Sequence, residues 1–169
     1  MRSKISLEQT QYTGWDNTFV SDDELRNVWR SLPLYGDIRT ANPDEIYSAP
    51  IIKFDKGKAQ YIAWSLKAPQ EASGLELQWT WFAEKSAPGS IIYSLDIREL
   101  KVGRPIEALH FDIKQVELPG PWNGLTLYKN RQEISGLPLD SIVLRFWRKG
   151  GHDYYKGYAA VANFGVRYL

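Results

Sequence analysis

The chain has 169 residues, 43% of them hydrophobic and 24% charged, a composition that suits a folded domain able to bury roughly 70% of its unfolded surface without disulfides or metal. The 21 Lys and Arg nearly balance the 20 Asp and Glu, for a net charge of +1, so no global basic field points to nucleic acid or an anionic membrane. The absence of Cys excludes a disulfide scaffold, thiolate catalysis, Cys-ligated zinc and iron–sulfur chemistry together.

Charge is uneven along the chain: residues 1–84 carry a formal −3 and residues 85–169 a formal +4, an asymmetry expected of ordinary solvated surface. No positively charged stretch followed by an apolar run opens the sequence, and no apolar run approaches 18 residues. The sequence therefore predicts neither a signal peptide nor a membrane span.

Segment 1–20 has no sustained hydrophobic period and is expected to be an extended arm. Ser21-Asp22-Asp23-Glu24 has capping-box spacing, and Leu25, Val28, Trp29 and Leu32 follow at i, i+3, i+4 and i+7, which predicts one short helix over Asp22–Ser31, ended by Pro33. Leu34 to Pro50 is rich in turn formers (Gly36, Asp37, Asn42, Pro43, Asp44) and reads as a connecting loop.

From Ala49 the period becomes two. Runs at Ile51–Phe54, Tyr61–Leu66, Leu75–Trp81, Ile91–Arg98, Leu109–Lys114, Leu125–Tyr128, Ile142–Arg148 and Tyr158–Leu169 predict an all-β fold, an antiparallel, jelly-roll-like β-sandwich of about eight strands. The expected division is an arm, short helix and loop over 1–48 and the sandwich over 49–169.

Catalytic chemistry is sparse. His110 and His152 stand alone, without HExxH, HxH or GxSxG nearby, so hydrogen bonding or surface exposure is their expected role. The pairs Asp22/Asp23 and Asp44/Glu45 are sequence neighbours and do not face each other across a cleft as glycoside hydrolysis requires, so capping and solvation are expected. Lys149-Gly150-Gly151-His152 lacks the Lys-Ser/Thr and the parallel strand of a phosphate loop and reads as a hairpin connection. No catalytic residue, metal or cofactor is expected.

Aromatics make up 14% of the chain. Trp64, Trp79 and Trp81 lie on the apolar phase of their strands and should pack in the core. Trp122, Trp147, Tyr154 and Tyr155 fall off that phase or in loops and are expected to be exposed contacts, for a subunit or partner ahead of carbohydrate stacking.

Gly136-Leu137-Pro138-Leu139-Asp140-Ser141-Ile142-Val143-Leu144-Arg145-Phe146-Trp147-Arg148, then Asp153-Tyr154-Tyr155-Lys156-Gly157-Tyr158-Ala159 and a final strand with Tyr168 near its end, resembles the close of a family of tailed-phage virion β-sandwich proteins. Tyr47–Phe54 and Tyr61–Leu66 resemble that family's opening strands, so the resemblance covers roughly residues 45–169. It implies a capsid decoration (cement) protein or a tail component, commonly a homotrimer, on the surface of a virion made in the host cytoplasm, with the major capsid protein as partner. Within the motif, Gly157 would let the chain turn, Asp153 would bond the turn backbone and Ala159 would allow close packing. Trp15, Phe19 and Trp29 are the expected shell or subunit anchors, as large aromatics in polar segments. The alternative is a glycan-binding adhesion module using aromatics such as Trp122, Trp147 and Tyr155; no membrane or nucleic-acid partner is expected.

Overall fold

Strict apolar/polar alternation puts every second side chain on one side of a pleated strand, and two sheets that each bury such a side close over a common core. The computed structural model describes residues 27–35, 38–39, 41–69, 71–104, 111–136 and 141–169. Among them eleven strands form: β1 Arg30–Leu32, β2 Ile38–Arg39, β3 Asn42–Ile46, β4 Ala49–Phe54, β5 Ala59–Lys67, β6 Gly74–Ala83, β7 Ile91–Leu100, β8 Phe111–Leu118, β9 Tyr128–Ser135, β10 Ser141–Lys149 and β11 Ala159–Tyr168. The first sheet runs β3-β4-β11-β6-β9, with β1 also on β11, and the second runs β2-β5-β10-β7-β8. All pairings are antiparallel.

The inward phase of each strand supplies the core: Ile62 and Trp64 from β5, Leu75, Leu77, Trp79 and Trp81 from β6, Tyr93 and Leu95 from β7, Leu144 and Phe146 from β10, Phe164 and Val166 from β11. Phe146 is its hinge point, with ring centroids of Trp79, Tyr93 and Phe164 at 5.2, 5.0 and 4.9 Å. Stacked, tilted and edge-on rings at these separations add about 0.5–1.5 kcal/mol per pair beyond the area they bury. Trp64, Trp79 and Trp81 thus sit where the alternation places them.

Four elements differ from expectation, the shortest being Ile38–Arg39, which lies in the expected loop and forms β2 against β5. Arg30 and Ser31, expected at the end of the helix, are extended with Leu32 and pair with Val166, Gly165 and Phe164 of β11. No helix occurs among the described residues, and the capping box at 21–24 lies outside them. The cause is the edge of β11: β4 pairs only with Ala159–Val161, and the register shifts between Val161 and Asn163. The backbone beyond that bulge is left to accept another strand, whereas a helix this short gains little without a face to pack on. Leu32 enters the core while Trp29 lies over Gly165 on the opposite face.

Asn42–Ile46, expected in a loop, is β3; its Pro43 is tolerated because the strand lies at the sheet edge. Strands β1, β2 and β3 therefore belong to the same two sheets as the segment beyond residue 49. Tyr128–Ser135 is a full strand against β6, while Leu125–Leu127, expected to begin one, are a loop with Leu125 at φ +57°.

Tyrosine burial makes stability sensitive to alkali. Burial pushes the Tyr168 phenol up to about 12 and also raises Tyr93 and Tyr155. The folded chain holds these protons more tightly than the unfolded one, whose tyrosines titrate near 10. Their contribution is complete below pH 10 and lost as pH rises towards 12. Urea midpoints should hold from pH 7 to 9 and fall between 10 and 12; a midpoint that stays level to pH 12 contradicts this.

Candidate functional site

The loops 55–58, 84–90, 119–127 and 150–158 gather at one end of the sandwich, and a buried ion pair ties the first of them to the last. Arg148, on the inward phase of β10, donates from Nε to Asp153 Oδ2 at 2.7 Å and from Nη2 to Oδ1 at 3.0 Å. Its remaining N–H groups reach the carbonyls of Phe54, Gly157 and Tyr155 at 3.2, 2.7 and 2.7 Å. Asp153 also takes Lys56 Nζ at 3.1 Å and the Ile92 N–H at 3.4 Å. One guanidinium thereby bonds the close of β4 and three points of the 150–158 loop, the donor fork that only Arg offers.

This end explains two corrections. Tyr155 and Trp122, expected to be exposed, are buried, at 0% and 8% exposure. The Tyr155 hydroxyl accepts from the Lys85 N–H at 2.9 Å and donates to the Lys85 carbonyl at 2.8 Å. Trp122 Nε1 donates to the Gly89 carbonyl at 2.8 Å, and the ring packs edge-on against Trp81 at 4.9 Å. Aromatics with a polar tip are buried readily where a backbone partner lies within reach. Gly89 is indispensable here: at φ +110°, a Cβ would lie 2.7 Å from the Tyr154 carbonyl. Tyr154 itself is 72% exposed. Gly157 is required by crowding, since a Cβ would meet the Tyr155 hydroxyl at 2.7 Å; Ala159 is fully buried opposite Phe54 and Ala83.

The other expected residues scatter. Trp15, Phe19, Asp22, Asp23 and His110 lie outside the described residues, and His152 is exposed in its loop. Trp29 is half-buried on the outer face of the first sheet, with the Arg131 and Arg167 guanidinium groups 5.4 and 5.0 Å from its ring. An open pocket of about 280 Å³ at the β3–β4 hairpin includes Asp44 and Glu45. Asp44 is ion-paired with Lys53 at 2.6 Å, which holds its carboxyl below the usual range. Among the described residues no three His, Asp or Glu side chains converge as metal ligands would.

A different grouping forms on the outer face of the second sheet, from the phase of each strand that the core does not use. Trp147 of β10 stands in one row with Tyr61 of β5, Ser94 of β7 and, beyond Ser94, Gln115 of β8. The next row holds Ala63, Arg145 and Asp96. Arg145 Nε lies 3.0 Å from both Asp96 carboxylate oxygens, and Nη2 also donates to Oδ2. The same guanidinium stacks 4.1 Å from the Trp147 ring centroid and 5.5 Å from that of Tyr61. Lys149 donates to Gln115 at 3.1 Å. The small Ala63 and Ser94 flank these large groups and are buried despite facing outward. The Ser94 hydroxyl and the Trp147 indole N–H are both buried without a hydrogen-bond partner.

The site thus keeps Trp147 from the expected aromatics and adds Tyr61, Ser94, Asp96 and Arg145. The sequence offers one signal for them: charged and aromatic residues on the polar phase of strands whose other phase is core. Which of these stand side by side depends on register across three strands.

No protein-family model matches the sequence, and no curated protein sequence matches it. The fold is similar to solved structures of sugar-handling proteins. A carbohydrate-binding module from lichenase 5A of Cellvibrio mixtus, solved with cellotriose, has a TM-score of 0.50 and 10% identity, covering 79% of this chain and 91% of that one. The cycloalternan-forming enzyme of Listeria monocytogenes, in complex with a pentasaccharide substrate, has a TM-score of 0.56 and 9% identity over 85% of this chain. The isomalto-dextranase of Arthrobacter globiformis T6, complexed with panose, has a TM-score of 0.55 and 11% identity over 82%. This chain spans 12% and 23% of those two enzymes. At such identities the likeness is one of fold: a β-sandwich.

Proposed function

We propose that this protein is a non-catalytic carbohydrate-binding β-sandwich module and that its ligand lies on the outer face of the second sheet. The observation that carries this reading is the row of Trp147, Tyr61 and Ser94 beside the Arg145–Asp96 pair. A sugar presents apolar C–H faces and a rim of hydroxyls, so it needs ring surface beside groups that donate and accept in fixed directions. The aromatic rings offer the first, and the forked Arg–carboxylate pair and the amide of Gln115 offer the second. Sandwich modules of similar fold solved with sugars favour the same reading without locating the site.

The residues that carry the virion resemblance do not argue for a capsid partner or a trimer. Asp153, Gly157 and Ala159 are all engaged inside the fold, by Arg148, by Tyr155 and by the flanking strands, so their pattern is explained by the closing turn.

The test is affinity electrophoresis through soluble polysaccharides, after a glycan array has selected a ligand. Trp147→Ala should weaken binding by roughly thirtyfold, the effect of truncating a central aromatic anchor, with little change in melting temperature. Tyr154→Ala, at the loop end, should bind normally. Unchanged binding by Trp147→Ala would place the ligand elsewhere.

A further inference from the structure

We propose that the pocket at the β3–β4 hairpin is a second, separate ligand site that takes a single neutral sugar residue, as a chain end or branch presents; it stands whether or not the second sheet binds a polymer. The pocket, of about 280 Å³, is lined by Tyr35, Pro43, Asp44, Glu45, Ser48 and Pro50. That volume is at the small end for ligand pockets and suits one ring rather than an oligosaccharide. From the hairpin, β4 runs to Phe54, whose carbonyl accepts from Arg148. The pocket therefore lies roughly 17 Å from the 150–158 loop, and on the other sheet from Trp147.

The hairpin backbone supplies an independent reason. Ile46 pairs with Ala49, so Tyr47 and Ser48 alone make the turn, and both take left-handed φ values, +48° and +64°. Two-residue turns of this kind favour Asn and Gly, because a bulky L side chain is strained there. No packing offsets the strain at Tyr47, which is 92% exposed. Such strain persists where a residue serves a ligand clamp, and here it fixes an aromatic ring one residue from Ser48, with the Tyr35 ring 54% exposed in the pocket.

Charge decides the class of ligand. Asp44 is already closed by Lys53 at 2.6 Å and by the Glu45 N–H at 2.8 Å. The Glu45 residue is exposed, and its carboxylate takes no ion pair or hydrogen bond from any described group. An ionised carboxylate only accepts, so two neighbouring sugar hydroxyls can donate to its two oxygens. Tyrosine and proline surfaces take the C–H face of the same ring. A lone exposed carboxylate holds a cation weakly, because water screens the pair, and it repels an anion; both weigh for an uncharged polyol.

The experiment titrates the full chain, labelled with nitrogen-15, with the methyl glycosides of glucose, galactose and mannose and follows the amide shifts. At least one glycoside should move the amides of Tyr35 and residues 44–49, with a dissociation constant on the order of millimolar. Tyr47→Gly should weaken that binding about tenfold while melting at or above the temperature of the parent, because the turn strain is relieved. Glu45→Gln, which keeps an acceptor and loses the charge, should weaken it about fivefold. No shift at the hairpin with any of the three, or shifts confined to β5, β7 and β10, overturns this site and leaves the polymer-binding face standing. A Tyr47→Gly variant that binds like the parent, or melts well below it, also overturns the site, since the ring would then serve nothing or serve folding. Tighter binding of tetramethylammonium than of any glycoside overturns it in favour of a cation site.

Discussion

Arg148→Met should lower stability by about 3–5 kcal/mol, the cost of removing one partner of a buried ion pair. Both side chains of the Arg148–Asp153 pair are fully buried, so water cannot replace the lost bonds. The substitution strips Asp153 of two bonds and orphans the carbonyls of Phe54, Gly157 and Tyr155. For a chain of this size, each kcal/mol moves the melting temperature by about 2–4 °C, so a fall of ~10 °C or more is expected, with a lower urea midpoint and an unchanged slope. Arg148→Met/Asp153→Leu should recover part of the loss, because the carboxylate left with only Lys56 and the Ile92 N–H is gone, but not all, because the three carbonyls remain unbonded and Lys56 and the Ile92 N–H lose their acceptor. A single variant that melts within 2 °C of the parent would show that the pair does not hold this end of the fold.

Trp81→Ala should cost a similar amount, about 3–5 kcal/mol, through cavity formation. Trp81 is fully buried, and its ring touches Tyr93, Trp122 and Tyr128 at centroid distances of 5.4, 4.9 and 5.2 Å. Its indole N–H donates to Asn130 Oδ1 at 2.8 Å. Trp81→Phe keeps most of the volume and removes the bond, so it should cost only about 1 kcal/mol beyond the lost volume. Because Tyr128 and Asn130 begin β9 and Trp122 anchors the loop before it, amide exchange in 122–130 should accelerate more than in β5 or β10. Uniform acceleration would mean that Trp81 supports the core as a whole rather than this corner.

The long strands and their inward faces are legible in the sequence, because the two-residue period of a half-buried strand is a local property of the chain. Ile62/Trp64, Leu75 through Trp81 and Leu144/Phe146 could be assigned to the core without knowing which strand lies beside which. Strand β9 was not legible: its inward positions are Tyr128, Asn130, Gln132 and Ile134, and an edge strand needs little apolar surface to be held by β6. The extended course of Arg30–Leu32 was hidden for the opposite reason. Its spacing of apolar residues suits a helix, and a bulge more than 130 residues further along the chain, between Val161 and Asn163, frees the edge it joins.

Burial of loop aromatics was likewise beyond local pattern. Trp122 and Tyr155 are off any strand phase, and only the approach of the Gly89 and Lys85 backbone from another loop gives their polar tips a partner. The candidate site divides in the same way. That Trp147, Arg145, Asp96 and Tyr61 face away from the core follows from alternation alone. That β10 lies between β5 and β7, in the register that sets Trp147 beside Tyr61 and Ser94 and Arg145 against Asp96, was decided by tertiary structure, because strand order and register are set by contacts between segments far apart in sequence and one residue of slip would turn those side chains to the other face.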